Sequence, residues 1–201
     1  MIHVMPDLDH LLKFVPASDP QVSEALVDAH YGYIYRLSLS ILNDPDEAED
    51  AAQETFINAI MNLYHYQAGT HLKSWLSTIA INICRDMLRR RKARQALQGV
   101  LQGLRLQSGH PLTPEDSAVQ NEGSRRLWQA VQSLNEKHRL PILLRYVHGL
   151  PVHEIAQVLN LSEGTVHSRL HYAVRKLQDR LGRMETLTEA GGGEWGKGGP
   201  R

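Results

Sequence analysis

The chain has 201 residues, of which 42% are hydrophobic, 22% charged and 6% aromatic, enough for one globular domain or two small ones and unlike a collagen, a coiled coil or a wholly disordered chain. Lys and Arg number 22 and so do Asp and Glu, giving a formal charge of zero, so no bulk field draws the chain to nucleic acid or to an anionic membrane. Its single cysteine, Cys84, has no internal disulfide partner, and no stretch nears the roughly twenty apolar residues of a membrane span, so a cytoplasmic address without membrane insertion is expected.

Residues 1–22 hold Pro6, Pro16 and Pro20 with little periodicity and read as an N-terminal extension. A compact block follows over 23–92. Leu26, His30, Tyr33, Leu37 and Ile41 share one stripe of a first helix that should end before Asn43. Asp44-Pro45-Asp46-Glu47 then offers an N-cap, a proline at the first helical position and the glutamate of a capping box. The second helix that starts there puts Ala48, Ala51, Ala52, Thr55, Phe56, Ala59, Ile60 and Leu63 on its apolar side, leaving Asp46, Glu49, Asp50, Gln53 and Glu54 opposite. After a loop from Tyr64 to Thr70, a third helix carries Leu72, Trp75, Leu76, Ile79, Ala80, Ile83, Cys84, Met87 and Leu88 at helical spacing and finishes in Arg89-Arg90-Arg91-Lys92.

From 93 to 121 the chain is rich in Gln, Gly and Pro and reads as a linker. The second block, 122–183, begins with a helix marked by Leu127, Val131 and Leu134, and continues with another, marked by Ile142, Leu143, Tyr146 and Val147, that Pro141 starts or kinks. A break at His148-Gly149-Leu150-Pro151 precedes a short helix with Val152, Ile155, Ala156 and Leu159. Asn160-Leu161-Ser162 is a tight turn, and Val166, Leu170, Ala173, Val174, Leu177 and Leu181 lie along a long last helix capped by Ser162. Two helices joined by a three-residue turn are a helix-turn-helix pattern. Residues 184–201, ending in a glycine-rich run, read as a disordered tail. No segment alternates as a strand does, so the fold class is all-α: two small helical domains on a flexible linker.

Charge is segregated along this neutral chain. Asp44, Asp46, Glu47, Glu49, Asp50 and Glu54 fall within eleven residues that hold no base, whereas the end of the third helix gathers Arg85, Arg89, Arg90, Arg91, Lys92 and Arg94 around Asp86 alone. The acidic face is expected to meet solvent or a basic protein, and the basic end is the candidate for DNA; a basic run at a helix C-terminus is also explained by the helix dipole alone. Tyr64 and Tyr66 in the loop, with Trp75 at the head of the third helix, are stacking platforms of the kind single-stranded DNA requires, although the spacing of Trp75 fits a core position equally well. The second block has ten Lys and Arg against five Asp and Glu. Its last helix presents Glu163, Thr165, His167, Ser168, Arg169, His171, Tyr172, Arg175 and Lys176 off the apolar stripe, with base-edge donors near its start and phosphate-binding charge beyond.

Three motifs in register carry a family resemblance. Asp46-Glu47-Ala48-Glu49-Asp50-Ala51-Ala52-Gln53-Glu54-Thr55-Phe56, then Lys73-Ser74-Trp75-Leu76 with Ile79-Ala80 and Asn82, then Glu154-Ile155-Ala156 with Gly164-Thr165-Val166-His167-Ser168-Arg169-Leu170, resemble a bacterial extracytoplasmic-function sigma factor over both blocks. The resemblance implies that the first block is a sigma-2 domain whose acidic helix docks on the clamp helices of the RNA polymerase largest subunit. It further implies that Lys73, Ser74, Thr78, Asn82 and Arg85, with the loop tyrosines, Trp75 and Arg89, meet the minus-ten promoter element. The second block becomes sigma-4, reading the minus-thirty-five element, with the polymerase flap and an anti-sigma factor as further partners and no cofactor. Ile81 stands where the family often has Arg, His167 where it usually has Lys, and Tyr172 and Val174 at positions that are frequently Arg.

Two rival readings stay open on the sequence. An enzyme would need a nucleophile elbow, a P-loop or a phosphate-binding glycine turn, none of which is written here, and His167 and His171, at helical spacing without an acidic companion, make a poor metal pair. A stand-alone helix-turn-helix regulator would account for the second block and leave the acidic helix unexplained.

Overall fold

The computed structural model describes residues 19–66, 71–102 and 122–191. The expectations for residues 1–18 of the extension, 67–70 of the loop, 103–121 of the linker and 192–201 of the tail lie outside the described residues. Every described element is helical. No described helix is long and apolar enough to cross a membrane.

The first compact unit is built on three mutually packed helices, α1 (Pro20–Leu42), α2 (Pro45–Met61) and α3 (Leu72–Gln102). Helix α1 begins earlier than its periodicity implies, because Asp19 caps it by accepting from the Gln21 amide at 2.9 Å and Pro20 occupies its first turn. It ends where expected: Asn43 turns left-handed at φ 55° and its amide bonds back to the Leu39 carbonyl at 2.9 Å. Asp44 caps α2 through the Glu47 amide at 3.0 Å. The Glu47 carboxylate itself is held by Arg91 of α3 at 3.0 Å, and the same guanidinium donates to the Leu42 carbonyl from both terminal nitrogens at 3.4 Å.

Burial follows the stripes. Leu26, Ile34, Leu37 and Ile41 of α1 meet Ala48, Ala51, Ala52, Phe56 and Ala59 of α2 and Leu76, Ala80, Ile81, Cys84 and Leu88 of α3 in one core. The alanine-rich face of α2 lets its backbone come close to both neighbours, while larger side chains on those neighbours fill the space. Ile81, a departure from the resembling family, is fully buried in that core. Helix α3 runs on to Gln102, ten residues into the stretch read as linker, because Ala93, Arg94, Gln95 and Ala96 are strong helix formers.

The second unit is built around α4 (Glu122–Gln132), α5 (Glu136–Ile142) and the long α7 (Glu163–Gly191). Pro141 lies inside α5, and a π-helical turn over Leu143–Val147 follows directly. That wide turn changes the helical phase. Ile142, Leu143 and Leu144 are buried while Tyr146 and Val147, expected on the apolar stripe, are exposed. Leu127 is likewise exposed, and Ala130 joins Val131 and Leu134 in the core instead. Gly149, at φ 71°, supplies the left-handed break ahead of α6 (Val152–Leu159). Helix α7 continues to Gly191, eight residues beyond the boundary at 183.

Cys84 is buried as its spacing implied, and burial pushes its thiol up to about 12. Native protein at about pH 8 should therefore leave Cys84 unmodified by iodoacetamide while the denatured chain reacts to completion, read by intact mass. Rapid alkylation of the native protein would put the thiol at the surface and contradict the packing.

Candidate nucleic-acid and protein interfaces

Helix α2 splits into two faces. Asp46, Glu49, Asp50, Gln53 and Glu54 are all exposed, as their positions opposite the alanine stripe require. Ile57 and Met61, one turn apart, continue this outer surface at 59% and 68% exposure, and Tyr64 follows at 71%. An acidic strip thus runs into an apolar one. The sequence signal for Ile57 and Met61 was present: both fall off the stripe that Phe56, Ala59 and Leu63 define, so neither serves the core. Behind the strip, Tyr31 stacks on Tyr35 at 6.4 Å and on Phe56 at 6.1 Å, bracing α1 against α2.

The basic helix end is less uniform than its sequence. Arg91 is committed to Glu47 and the Leu42 carbonyl, so it ties helices together rather than reaching outward. Arg89 is exposed and pairs with Asp86 one turn earlier, an exposed pair worth about 0–1 kcal/mol and easily exchanged for another partner. Arg85 is half-buried and Asn82 exposed.

At the head of α3 the candidates separate. Lys73 is exposed, with its ammonium 4.3 Å from the centre of the Tyr33 ring. The Tyr33 hydroxyl lies 2.9 Å from Ser77 Oγ, which donates to the Lys73 carbonyl at 2.7 Å. Burial first, and then the Lys73 charge, hold His30 below the ordinary histidine range, so its ring is neutral beside that ammonium. Ser74 is buried, which removes it from any outward contact. Thr78 is half-buried and donates to the Ser74 carbonyl at 3.0 Å. Trp75 is half-buried too, tilted against Tyr66 with ring centres 5.4 Å apart. The two readings of Trp75 therefore merge: one side packs and the other remains beside Tyr66. Tyr66, Trp75, Thr78, Asn82, Arg85 and Arg89 follow successive turns of α3 and its approach.

The helix-turn-helix is formed by α6, a turn and α7. Asn160 adopts φ 52°, the Leu161 amide donates to the Ala156 carbonyl at 2.8 Å, and Ser162 Oγ accepts from the Thr165 amide at 3.2 Å. Val166, Leu170, Ala173 and Leu177 are buried under α7. Glu163, His167, Ser168, His171, Tyr172, Arg175 and Lys176 are exposed, with Thr165 and Arg169 half-buried. Tyr172 is held from beneath: the His138 ring of α5 stacks on it with centres 4.3 Å apart and planes 28° from parallel. His138 was not among the sequence candidates, because nothing in its local spacing marks it; only the packing of α5 on α7 brings the rings together.

Comparison with known proteins agrees with this geometry. The Sigma-70 region 2 family matches residues 26–94, and the Sigma-70, region 4 family matches residues 130–179. The chain is 32% identical to the ECF RNA polymerase sigma factor SigW of Bacillus subtilis over 176 residues, covering 85% of this chain and 94% of that one. It is 34% identical to the ECF RNA polymerase sigma factor SigL of Mycobacterium tuberculosis over 167 residues, covering 81% and 90%. Among solved structures, CnrH in complex with the cytosolic domain of CnrY has a similar fold, with a TM-score of 0.64 at 23% identity over 88% of this chain and 99% of that one. RpoE of Bartonella quintana, in complex with the anti-sigma factor NepR, is similar at a TM-score of 0.61 and 23% identity over 77% and 93%. A stand-alone helix-turn-helix regulator would explain the second match and not the first. The chain belongs to the extracytoplasmic-function sigma factors of RNA polymerase.

Proposed function

We propose that this sigma factor docks on the clamp helices of the polymerase largest subunit through the outer face of α2, contributed by Asp46, Glu49, Asp50, Gln53 and Glu54 and extended by Ile57 and Met61. The observation that carries this is the exposure of all five polar side chains beside two unburied large apolar ones on a helix whose opposite face is fully packed. Charge gives such a surface its on-rate and orientation, and the apolar end gives it area to desolvate.

As an extracytoplasmic-function sigma factor, the protein directs core polymerase to promoters and assists melting and initiation; its contribution is recognition, not covalent chemistry. On this reading the minus-ten element meets Tyr64, Tyr66, Lys73, Trp75, Thr78, Asn82, Arg85 and Arg89, which offer aromatic faces and positive charge along one path. The minus-thirty-five duplex meets Glu163, Thr165, His167, Ser168, Arg169, His171, Tyr172, Arg175 and Lys176 of α7. The flap and an anti-sigma factor complete the partners, and the site of action is the cytoplasm. Residues 1–22, 93–121 and 184–201 then serve as extension, connector and tail around the sigma-2 and sigma-4 blocks.

Asp50→Arg combined with Glu54→Arg should abolish assembly with core polymerase on gel filtration while the circular dichroism of the free protein stays unchanged, since both side chains are exposed. Ile57→Ser combined with Met61→Ser should weaken assembly with equal retention of helicity. Normal assembly by both variants would refute the surface.

Within α7, Arg169→Ala should alter minus-thirty-five preference by about 1–3 kcal/mol at one base position, whereas Lys176→Ala should lower affinity for all sequences and flatten its salt dependence. Equal, sequence-independent losses in holoenzyme footprinting would mean that α7 only anchors the protein.

A further inference from the structure

We infer that His138 is a positioning residue for promoter selection, acting as a flat support that holds Tyr172 upright on the DNA-facing side of α7. The inference rests on the assignment of α7 as the minus-thirty-five reader and adds a residue outside the helix-turn-helix to that function.

The two rings lie 4.3 Å apart with planes 28° from parallel, yet their surroundings differ sharply. His138 is 9% exposed and Tyr172 is 51% exposed. One ring belongs to the interior and the other to the surface, and the stack joins them. The imidazole makes unusual use of its polarity. Its Nδ1 is buried with no hydrogen-bond partner, a cost that an apolar side chain of the same shape would avoid. Burial, and then the charges of Lys137, Lys176 and Arg169, hold the ring below the ordinary histidine range. A buried imidazole with its Nδ1 unpaired contributes its flat face here rather than that nitrogen's hydrogen-bonding capacity.

That face limits where Tyr172 can go. Arg169 and Lys176 lie three residues before and four after Tyr172, hence on the same side of α7. A tyrosine between two cations would otherwise sample several rotamers, and fixing it on binding would cost entropy that a pre-set ring has already lost. Held at its base by His138, the phenol projects from α7 with a defined direction, offering a ring edge to a thymine methyl and a hydroxyl to a base or phosphate oxygen. Tyr172 is one of the positions where the resembling family frequently has Arg, so a long flexible charge is replaced by a short, rigid, amphipathic side chain. Rigid placement is the property that base selection needs and phosphate anchoring does not.

The test uses holoenzyme and a promoter library with a randomised minus-thirty-five segment above a constant minus-ten. Four variants are compared with wild type: Tyr172→Ala, His138→Leu, His138→Phe and the double variant His138→Leu, Tyr172→Ala. Tyr172→Ala and His138→Leu should each lower discrimination between selected and scrambled segments by roughly tenfold, the scale of one lost base contact. His138→Phe, which restores a flat ring, should stay within about twofold of wild type. Adding His138→Leu to Tyr172→Ala should change discrimination no further, because a support has no effect once its load is gone. If His138→Leu unfolds the second unit, His138→Gln, which keeps volume without a ring, is held to the same expectation. The inference is overturned if the ringless variant keeps full discrimination, if it lowers affinity for every sequence alike, or if its effect adds to that of Tyr172→Ala. Arg169→Ala separates the two levels. Loss of selectivity there with none at His138 would reject the support alone, whereas no loss at either would reject α7 as a sequence reader.

Discussion

The two-residue corner at Asn43 and Asp44 sets the direction of everything that the first unit presents to a partner. Asn43 ends α1 in a left-handed conformation and Asp44 immediately starts α2, so the chain reverses with no loop between. Arg91 then reaches across from α3 to the last carbonyl of α1 and to Glu47 in the first turn of α2. Each cap is worth about 1 kcal/mol, and each buried leucine or isoleucine about 1.5–3 kcal/mol. The core, with many such side chains, supplies the stability. The corner supplies the angle, and without it the same apolar stripes would have more than one way to pack.

Fixing that angle lets a chain of zero net charge carry two opposite faces within one small unit. Alanines on the inner side of α2 allow close approach, so the acids on its outer side stand clear of the bundle and remain hydrated. The positive charge gathers at the far portion of α3. Not all of it is free to face outward: Arg91 is spent on the corner and Arg89 shares Asp86. A charge run read as one patch is therefore divided between side chains that tie helices together and side chains that stay at the surface.

The second unit solves a related problem with different means. On the proposed reading α7 must be rigid where it meets bases, yet the residues that meet bases cannot themselves be packed. The apolar side of α7 is locked by Val166, Leu170, Ala173 and Leu177, the start of the helix by the Ser162 cap, and its outer surface by the ring of His138 beneath Tyr172. The π-helical turn after Pro141 is part of the same economy of packing: it keeps three consecutive residues, Ile142 to Leu144, in the core and turns Tyr146 and Val147 out.

The sequence by itself determined the helices, their caps at Asp44 and Ser162, the end of α1 before Asn43, the turn at Asn160, and the inner and outer sides of α2 and α7, because capping and helical periodicity are local rules that act within a few residues. The family followed from three local motifs in register. Helix ends were less legible, at Pro20, Gln102 and Gly191, because the composition changes there before the helix stops and local propensity is only a weak guide to a boundary. Only the tertiary structure decided which candidates face outward and which support them. Ser74 lies on the stretch of α3 that was expected to meet DNA but is buried, Arg91 pairs with Glu47, 44 residues away in sequence, and the π-turn rotates Tyr146 out of phase with the preceding helix. His138 meets Tyr172 on a helix that begins 25 residues later. Each of these depends on contacts between segments distant in the chain, and pairwise contact of that kind leaves no periodic trace in a single sequence.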